Sequence, residues 1–306
     1  MTKTPSPATP QPAICDYEGS TYRTDFWEGK GRDYEDAVER IILRQFLPKA
    51  ARRYVDFGAG FGRLINEADR YDEVVIMDYS STMLQDAQAR LGRADRYIYV
   101  NADVYRLPFA PDSFDAGLLC RVIHHLADAP TALKQIRRSF AAGGTFILEY
   151  ANKLNLKAML RYALRRQNWS PYDLAPLEFV KLNFDFHPAY ITRTLKAVGF
   201  TPRRRRAASW LRLGAFKKLL PLQAMVTVDR LLQPIGAVMP YSPQIFVENT
   251  VEGDAPISLT PRAAMFICPI TGAPLHQEGD RMVSTADNPQ WAIRDGIYDF
   301  KTPISA

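Results

Sequence analysis

The chain has 306 residues, of which 47% are hydrophobic and 24% charged, and carries a formal net charge of +6. Such a composition excludes a disordered or fibrous protein and is enough for a full buried core. Cys15, Cys120 and Cys268 are widely separated, so no disulfide framework is expected, and the natural setting is a reducing cytoplasm.

The opening stretch M-T-K-T-P-S-P-A-T-P-Q-P has no apolar h-region, so it does not read as a secretory signal, and residues 1–20 are expected to form a disordered tail. No apolar run reaches the roughly 20 residues of a membrane span. The nearest, Leu219 to Met239, is broken by Pro221, Asp229, Arg230 and Pro234. An amphipathic helix is expected over Asp33 to Leu47, with Val38, Ile41, Ile42 and Phe46 on one side and Pro48 ending it.

Residues Val55 to Leu64 read V-D-F-G-A-G-F-G-R-L. A buried strand, Tyr54 to Phe57, runs into Gly58, Gly60 and Gly62, and a helix is expected to open near Arg63. Alternating glycines let a strand turn tightly and let a ligand approach the backbone. The N–H groups of a helix start there would face an anionic group. The spacing is not the dinucleotide G-x-G-x-x-G, because Arg63 stands in the third glycine slot. Asp56 would repel a pyrophosphate and suits a ligand with an ammonium group.

A second strand, Glu73 to Asp78, ends in an acid placed to accept hydrogen bonds from ribose hydroxyls. Ser80-Ser81 can cap the next helix, whose apolar face begins at Met83 and Leu84. Further strands are expected at Tyr97 to Asn101, Ala116 to Cys120 and Thr145 to Tyr150. Asp103 and Val104 follow the third strand, and R-V-I-H-H-L (Arg121 to Leu126) follows the fourth. Leu133 to Phe140 shows helical spacing, and Gly143-Gly144 turn it into the fifth strand. Then come an insertion with a basic helix (Leu156 to Arg165), a helix from Ala189 to Val198, and a strand from Phe200 to Ala208. A second, apolar insertion with one or two helices precedes a last strand, Gln244 to Asn249.

D-x-G-x-G-x-G resembles the first motif of class I S-adenosylmethionine-dependent methyltransferases. From about Tyr22 to Glu248 the order and spacing of the pieces are similar to the subgroup that includes the quinone-biosynthesis enzymes. The resemblance implies a Rossmann-like, seven-stranded, mostly parallel sheet with helices on both faces. It divides the chain into a methyltransferase domain at residues 21–252, with lid insertions at 151–186 and 210–241, and a small C-terminal β-rich module. It also implies S-adenosyl-L-methionine as cofactor. Asp56 would face the methionine ammonium, and Gly58, Ala59, Gly60 and Gly62 would surround the methionine moiety. Asp78 would sit at the ribose, Tyr79 and Met83 beside the adenine, and Asp103 and Val104 at its edge. Cys120 and Arg121 would lie under the methionine part.

Arg121 departs from the small or apolar residue common there, and two readings stay open: it reaches an acidic acceptor group, or it pairs with a nearby carboxylate. Tyr22, Phe26 and Trp27 line the substrate mouth or belong to the core. A general base is needed only if the acceptor must lose a proton. His124, His125, His187, Glu149 and Tyr150 are candidates by position, and none is assigned a catalytic role. Arg203 to Arg206, and Arg161, Arg165 and Arg166, read as solvated faces in preference to a nucleic-acid or anionic-membrane face.

C-P-I-T-G-A-P-L (Cys268 to Leu275) and W-A-I-R-D-G-I-Y-D-F (Trp291 to Phe300) resemble a small zinc ribbon. The four ligand positions fall on Cys268, Thr271, Ser284 and Asp287, so only one thiolate remains and His276 cannot complete a set of four. Residues 262–306 are therefore expected to be a degenerate ribbon without metal, held together by apolar side chains. The sequence thus points to methyl transfer to a small-molecule acceptor. An RNA methyltransferase and a non-catalytic cofactor-binding scaffold are the alternatives. The acceptor and the oligomeric state are not legible.

Overall fold

A computed structural model of the chain describes residues 12–20, 27, 31–212, 214–253, 257–284 and 289–304. Tyr22, Phe26 and Asp287 lie outside this set.

Helix α1 (Asp33–Phe46) has Asp33, Glu35 and Asp36 in its first turn, where acids suit the helix dipole. It buries Tyr34, Val38, Ile42, Leu43 and Phe46, and also Glu35 and Glu39. Then follow β1 (Arg53–Phe57), β2 (Glu73–Asp78), α2 (Ser81–Leu91), β3 (Tyr97–Asn101), β4 (Phe114–Leu119), α3 (Ala129–Arg138) and β5 (Phe140–Ala151). Helix α2 starts at Ser80, whose hydroxyl accepts from the Met83 N–H, and α3 starts at Asp128, whose carboxylate accepts from the Thr131 N–H. The first insertion folds as α4 (Leu156–Ala163) and a hairpin, β6 (Leu177–Val180) and β7 (Asn183–Asp185). After α5 (Pro188–Ala197) and β8 (Phe200–Ala208), the second insertion supplies α6 (Gly214–Leu219) and α7 (Leu222–Leu232). Strand β9 (Gln244–Val251) returns antiparallel between β5 and β8.

The seven expected strands are all present, but among the described residues the sheet has 11 strands and is mixed. The extra four, β10 (Leu275–Glu278), β11 (Arg281–Ser284), β12 (Gln290–Arg294) and β13 (Ile297–Asp299), come from the C-terminal region. They are no separate layer: β13 pairs in parallel with β3, Tyr298 opposite Val100 and Asp299 opposite Asn101. The physical reason is the edge. Without β13, β3 would present a row of unpaired backbone groups. Phe266, Trp291 and Phe300 join the same core as Phe109 and Phe114, and the Ala110 N–H donates to the Met265 carbonyl at 2.8 Å.

Two local expectations are also corrected. After the glycine loop there is no α-helix, only turns and one 3-10 turn, Ile65–Ala68. Gly58, Gly60 and Gly62 all have positive φ, so a right-handed helix cannot start before Arg63, and β2 begins ten residues later. Phe140 belongs to β5, not to the preceding helix. Gly143, at φ +78°, accommodates a bulge in which the β4–β5 register slips between Phe140 and Thr145.

Candidate active site

The C-terminal ends of β1, β2, β3 and β4 open onto one cavity of about 1100 Å³, its mouth included. Ligands of open α/β sheets bind outside these strand ends. Of the expected cofactor residues, Asp56, Gly58, Ala59, Gly60, Asp78, Tyr79, Met83, Asp103, Val104, Cys120 and Arg121 line it. Gly62 does not. A Cβ there would come within 2.7 Å of the Leu91 methyl, so this glycine serves the close packing of the loop on α2. Gly60 faces open space at φ +55°.

The loop is held by an acid. Asp78 accepts from the Gly60 N–H through one oxygen and from the Ser80 N–H through the other, both at 2.8 Å. Each oxygen retains a lone pair for a ligand hydroxyl. Burial raises the Asp78 carboxyl above its ordinary range, and the backbone N–H groups of Ser80 and Gly60 offset part of that. Asn101 fixes the same turn by donating its side-chain amide to the Asp78 and Tyr79 carbonyls, at 3.0 and 2.8 Å.

Asp56 is buried on the cavity floor. Burial pushes its carboxyl up to about 8, and the charge of Arg63 only partly opposes this. Among the described residues no hydrogen-bond donor reaches it. A buried carboxylate of this kind is compensated by a cationic donor. The residues present therefore fit a ligand with an ammonium group at one end and ribose hydroxyls at the other.

Of the two readings of Arg121, the pairing with a nearby carboxylate is observed, with Glu39. Its Nε–H donates to Glu39 Oε1 at 2.8 Å, and Glu39 also takes the Arg63 guanidinium at 2.6 Å and the Gln244 amide at 2.7 Å. Burial alone would raise the Glu39 carboxyl, yet Arg121, Arg63 and Gln244 hold it down at about 2. The Arg63 and Arg121 guanidiniums lie over the ring of Trp27, at 3.8 and 5.0 Å from its centre. Burial, with Glu39 and Glu149 close by, pushes the Cys120 thiol well above its ordinary value, so Cys120 stays a neutral wall.

Sequence reasoning missed Glu39. The available signal was an acid at position 39 between Val38 and Ile42, on the apolar face of α1.

It also missed the N-terminal segment. Ile14, Cys15 and Tyr17, in the stretch expected as a disordered tail, line the cavity. The Glu18 carboxylate anchors them at the start of α2, accepting from the Ser81 and Thr82 N–H groups at 2.7 and 3.1 Å. Of the candidate bases, only His125 lines the cavity. Its Nδ1 lies 3.1 Å from the Leu182 carbonyl, so Nδ1 carries the proton, and Nε2 accepts from the Tyr17 hydroxyl at 3.1 Å. Burial lowers its pKa. His124 is packed against His125, 4.1 Å between ring centres, and is held neutral by burial. His187 caps α5, Glu149 accepts from the Arg121 N–H at 2.7 Å, and Tyr150 is buried in β5.

In the C-terminal region, Cys268 is buried and Ser284 ends β11. Among the described residues no group of three or more His, Cys, Asp or Glu is arranged to hold a metal ion. No helix of the described residues is long and apolar enough to cross a membrane.

Residues 55–148 match the sequence profile of a methyltransferase domain. A demethylmenaquinone methyltransferase of Clavibacter sepedonicus is 28% identical over 207 residues, covering 67% of this chain and 81% of the relative. A malonyl-[acyl-carrier protein] O-methyltransferase of Legionella pneumophila is 32% identical over 124 residues, 39% of this chain and 44% of that protein. A solved S-adenosylmethionine-dependent methyltransferase of Thermotoga maritima shares the fold. Its TM-score is 0.55 at 16% identity, and the match covers 76% of this chain and 97% of that one. Residues 55–148 thus carry a methyltransferase domain, within a fold that solved S-adenosylmethionine-dependent methyltransferases share.

Proposed function

We propose that this chain methylates a small, largely apolar acceptor in the cavity bounded by Trp27, Tyr17 and His125, with S-adenosylmethionine lying across the ends of β1 to β4. The observation that carries the reading is Asp56, a buried carboxylate with no hydrogen-bond donor among the described residues, on the same cavity as Asp78. Relatives that act on a quinone precursor and on an acyl-carrier-bound malonyl group support a small-molecule acceptor in preference to RNA.

When bound, the cofactor supplies an electrophilic methyl carbon for in-line displacement. Asp56 neutralises the ligand's ammonium, Gly58 to Gly60 let its methionine end reach the backbone, and Asp78 accepts from the ribose hydroxyls. Tyr79, Met83, Asp103 and Val104 enclose the adenine. Arg121 does not bind acceptor in this reading. Tied to Glu39, it fixes the loop after β4, where Cys120 forms an apolar floor. Holding acceptor and methyl at near-attack distance in a dry cavity is the main catalytic contribution. For an acceptor that loses a proton, His125 Nε2 receives it once Tyr17 gives way.

The test is transfer of labelled methyl to a panel of phenolic, quinol and acyl acceptors, with bulk RNA as the competing substrate. Label in a small acceptor supports the reading. Label in RNA and in none of the panel overturns it.

A further inference from the structure

The two insertions display apolar surface that the rest of the molecule hides. Among the described residues, every exposed large apolar side chain except Ile257, Ile270 and Ile304 falls within residues 156–180 or 216–239. On α4 and just beyond it, Leu156, Leu160 and Leu164 recur at i, i+4 and i+8 and are 53–59% exposed, while Ala158 is the residue the helix buries. On α7 and the turn after it, Leu231 and Val238 are 72% and 84% exposed. The start of α4 is tied to the end of the second insertion. The Leu156 N–H donates to the Tyr241 carbonyl at 2.8 Å, and the Asn152 amide donates to the Pro240 and Ser242 carbonyls at 2.5 and 2.7 Å. Scattered surface leucines need no explanation, but apolar side chains concentrated in two insertions whose ends meet do.

Its rim is basic around α4, and Asp173 and Glu178 are exposed farther along, toward the hairpin. Lys157, Arg161, Arg165 and Arg166 are exposed around α4, and residues 151–172 contain no acid. In the second insertion Lys218 and Arg230 are exposed. Its one acid, Asp229, is buried and accepts from the Tyr34 hydroxyl and the Trp210 N–H, at 2.5 and 2.9 Å. The other basic run differs: Arg204 is bound to Glu248 on the neighbouring strand, so it is used within the fold.

We infer that this face docks on an anionic membrane surface. The leucines enter the boundary between headgroups and acyl chains, and the lysines and arginines lay their stems along the apolar surface and hold phosphates. A second copy of the chain fits less well, because a two-fold contact would bring two identical basic rims together. Nucleic acid would match the charge but leave the leucines uncovered. The inference stands on the surface alone and does not depend on the identity of the acceptor. It has a consequence for the site: the hairpin β6–β7, with Phe179 and Val180 exposed at its tip, supplies the Leu182 carbonyl that holds His125. The docked face thus adjoins the cavity wall.

The test is sedimentation of the full chain with large unilamellar vesicles of phosphatidylcholine, with and without phosphatidylglycerol. The chain is expected to pellet with the anionic vesicles, to stay in solution with the neutral ones, and to be released by salt. Arg161→Gln with Arg165→Gln should weaken partition about fivefold per charge removed. Leu160→Glu with Leu231→Glu should abolish it, with an unchanged thermal midpoint showing that the fold is intact. Three results would overturn the inference: no binding of the native chain to anionic vesicles at low salt, full binding by the double leucine variant, or a dimer in light scattering that Leu231→Glu dissolves. None of these readouts involves methyl transfer, so a failed acceptor screen would leave the inference standing.

Discussion

Arg121 and Glu39 are joined across the sheet's upper edge by an Nε–H···Oε1 hydrogen bond of 2.8 Å, and through Glu39 the loop after β4 is tied to α1 and to Arg63 of the glycine loop. Arg121 sits at φ +59°, a conformation a non-glycine side chain keeps only when its surroundings hold it there. One carboxylate therefore sets the position of two of the cavity's walls.

Glu39→Gln should leave the largely buried Arg121 guanidinium without its ion-pair partner and Arg63 with Asp36 alone. The expected loss is about 3–5 kcal/mol in denaturant unfolding. Gln244→Ala removes one neutral donor to the same carboxylate and should cost about 1 kcal/mol. Equal costs for the two would contradict a role for Glu39 as the charge that organises the loops.

The Asp56 carboxyl, raised to about 8 by burial, makes stability depend on pH. The folded chain holds this proton when the unfolded chain, titrating near the ordinary value of 3.8, has already released it. The contribution is thus fully present below pH 4 and is lost as pH rises toward 8. The ligand-free protein should lose stability steadily across that window, by up to about 1.4 kcal/mol per pH unit. Asp56→Asn should flatten the profile and raise stability at pH 8, while weakening cofactor binding. A variant with the native pH profile would show that Asp56 is not the titrating group.

Gly60 and Gly62 should separate binding from folding. Alanine at either meets left-handed backbone strain of about 1–2 kcal/mol. At Gly62 the added methyl also strikes Leu91, so stability should fall further with little direct effect on ligand affinity. At Gly60 it projects into the cavity, and affinity should fall by about tenfold or more. Thermal melts and titrations on both variants give the comparison.

Trp291 lies in the C-terminal region but is buried in the core that includes Phe109 and Phe300. Trp291→Ala should cost about 3–5 kcal/mol and lower the single unfolding midpoint of the whole chain. A separate low-temperature transition would mean that the C-terminal strands fold as an independent module. The expectation of a ribbon without metal predicts that treatment with a chelator leaves the native midpoint unchanged.

Much of this was legible in the sequence. Buried strands of four to six apolar residues carry a period and clear ends, so β1 to β5 were placed within a few residues. Acids at strand ends, such as Asp56 and Asp78, identify themselves by position. What escaped depends on contacts between distant segments. Glu39 reads as an ordinary helix acid until Arg63 and Arg121 arrive beside it. The role of Tyr17 needs His125, 108 residues away, to define it. The tail's strands were expected, but their pairing on β3 was not, because alternation shows which face of a strand is buried and not which edge it joins. The missing helix after Gly62 is a failure of another kind: the glycine spacing was read as a helix start, although three positive φ angles consume the residues a helix would need.

The central claim is that this cavity holds S-adenosylmethionine by Asp56 and Asp78. Calorimetric titration of S-adenosylmethionine and S-adenosylhomocysteine into the full chain, beside Asp78→Ala, tests it most directly. One-to-one binding by the native protein, weakened about a hundredfold in the variant, is the predicted result. A folded native protein that takes up neither ligand, or an Asp78→Ala protein that binds as tightly as the native one, would contradict it.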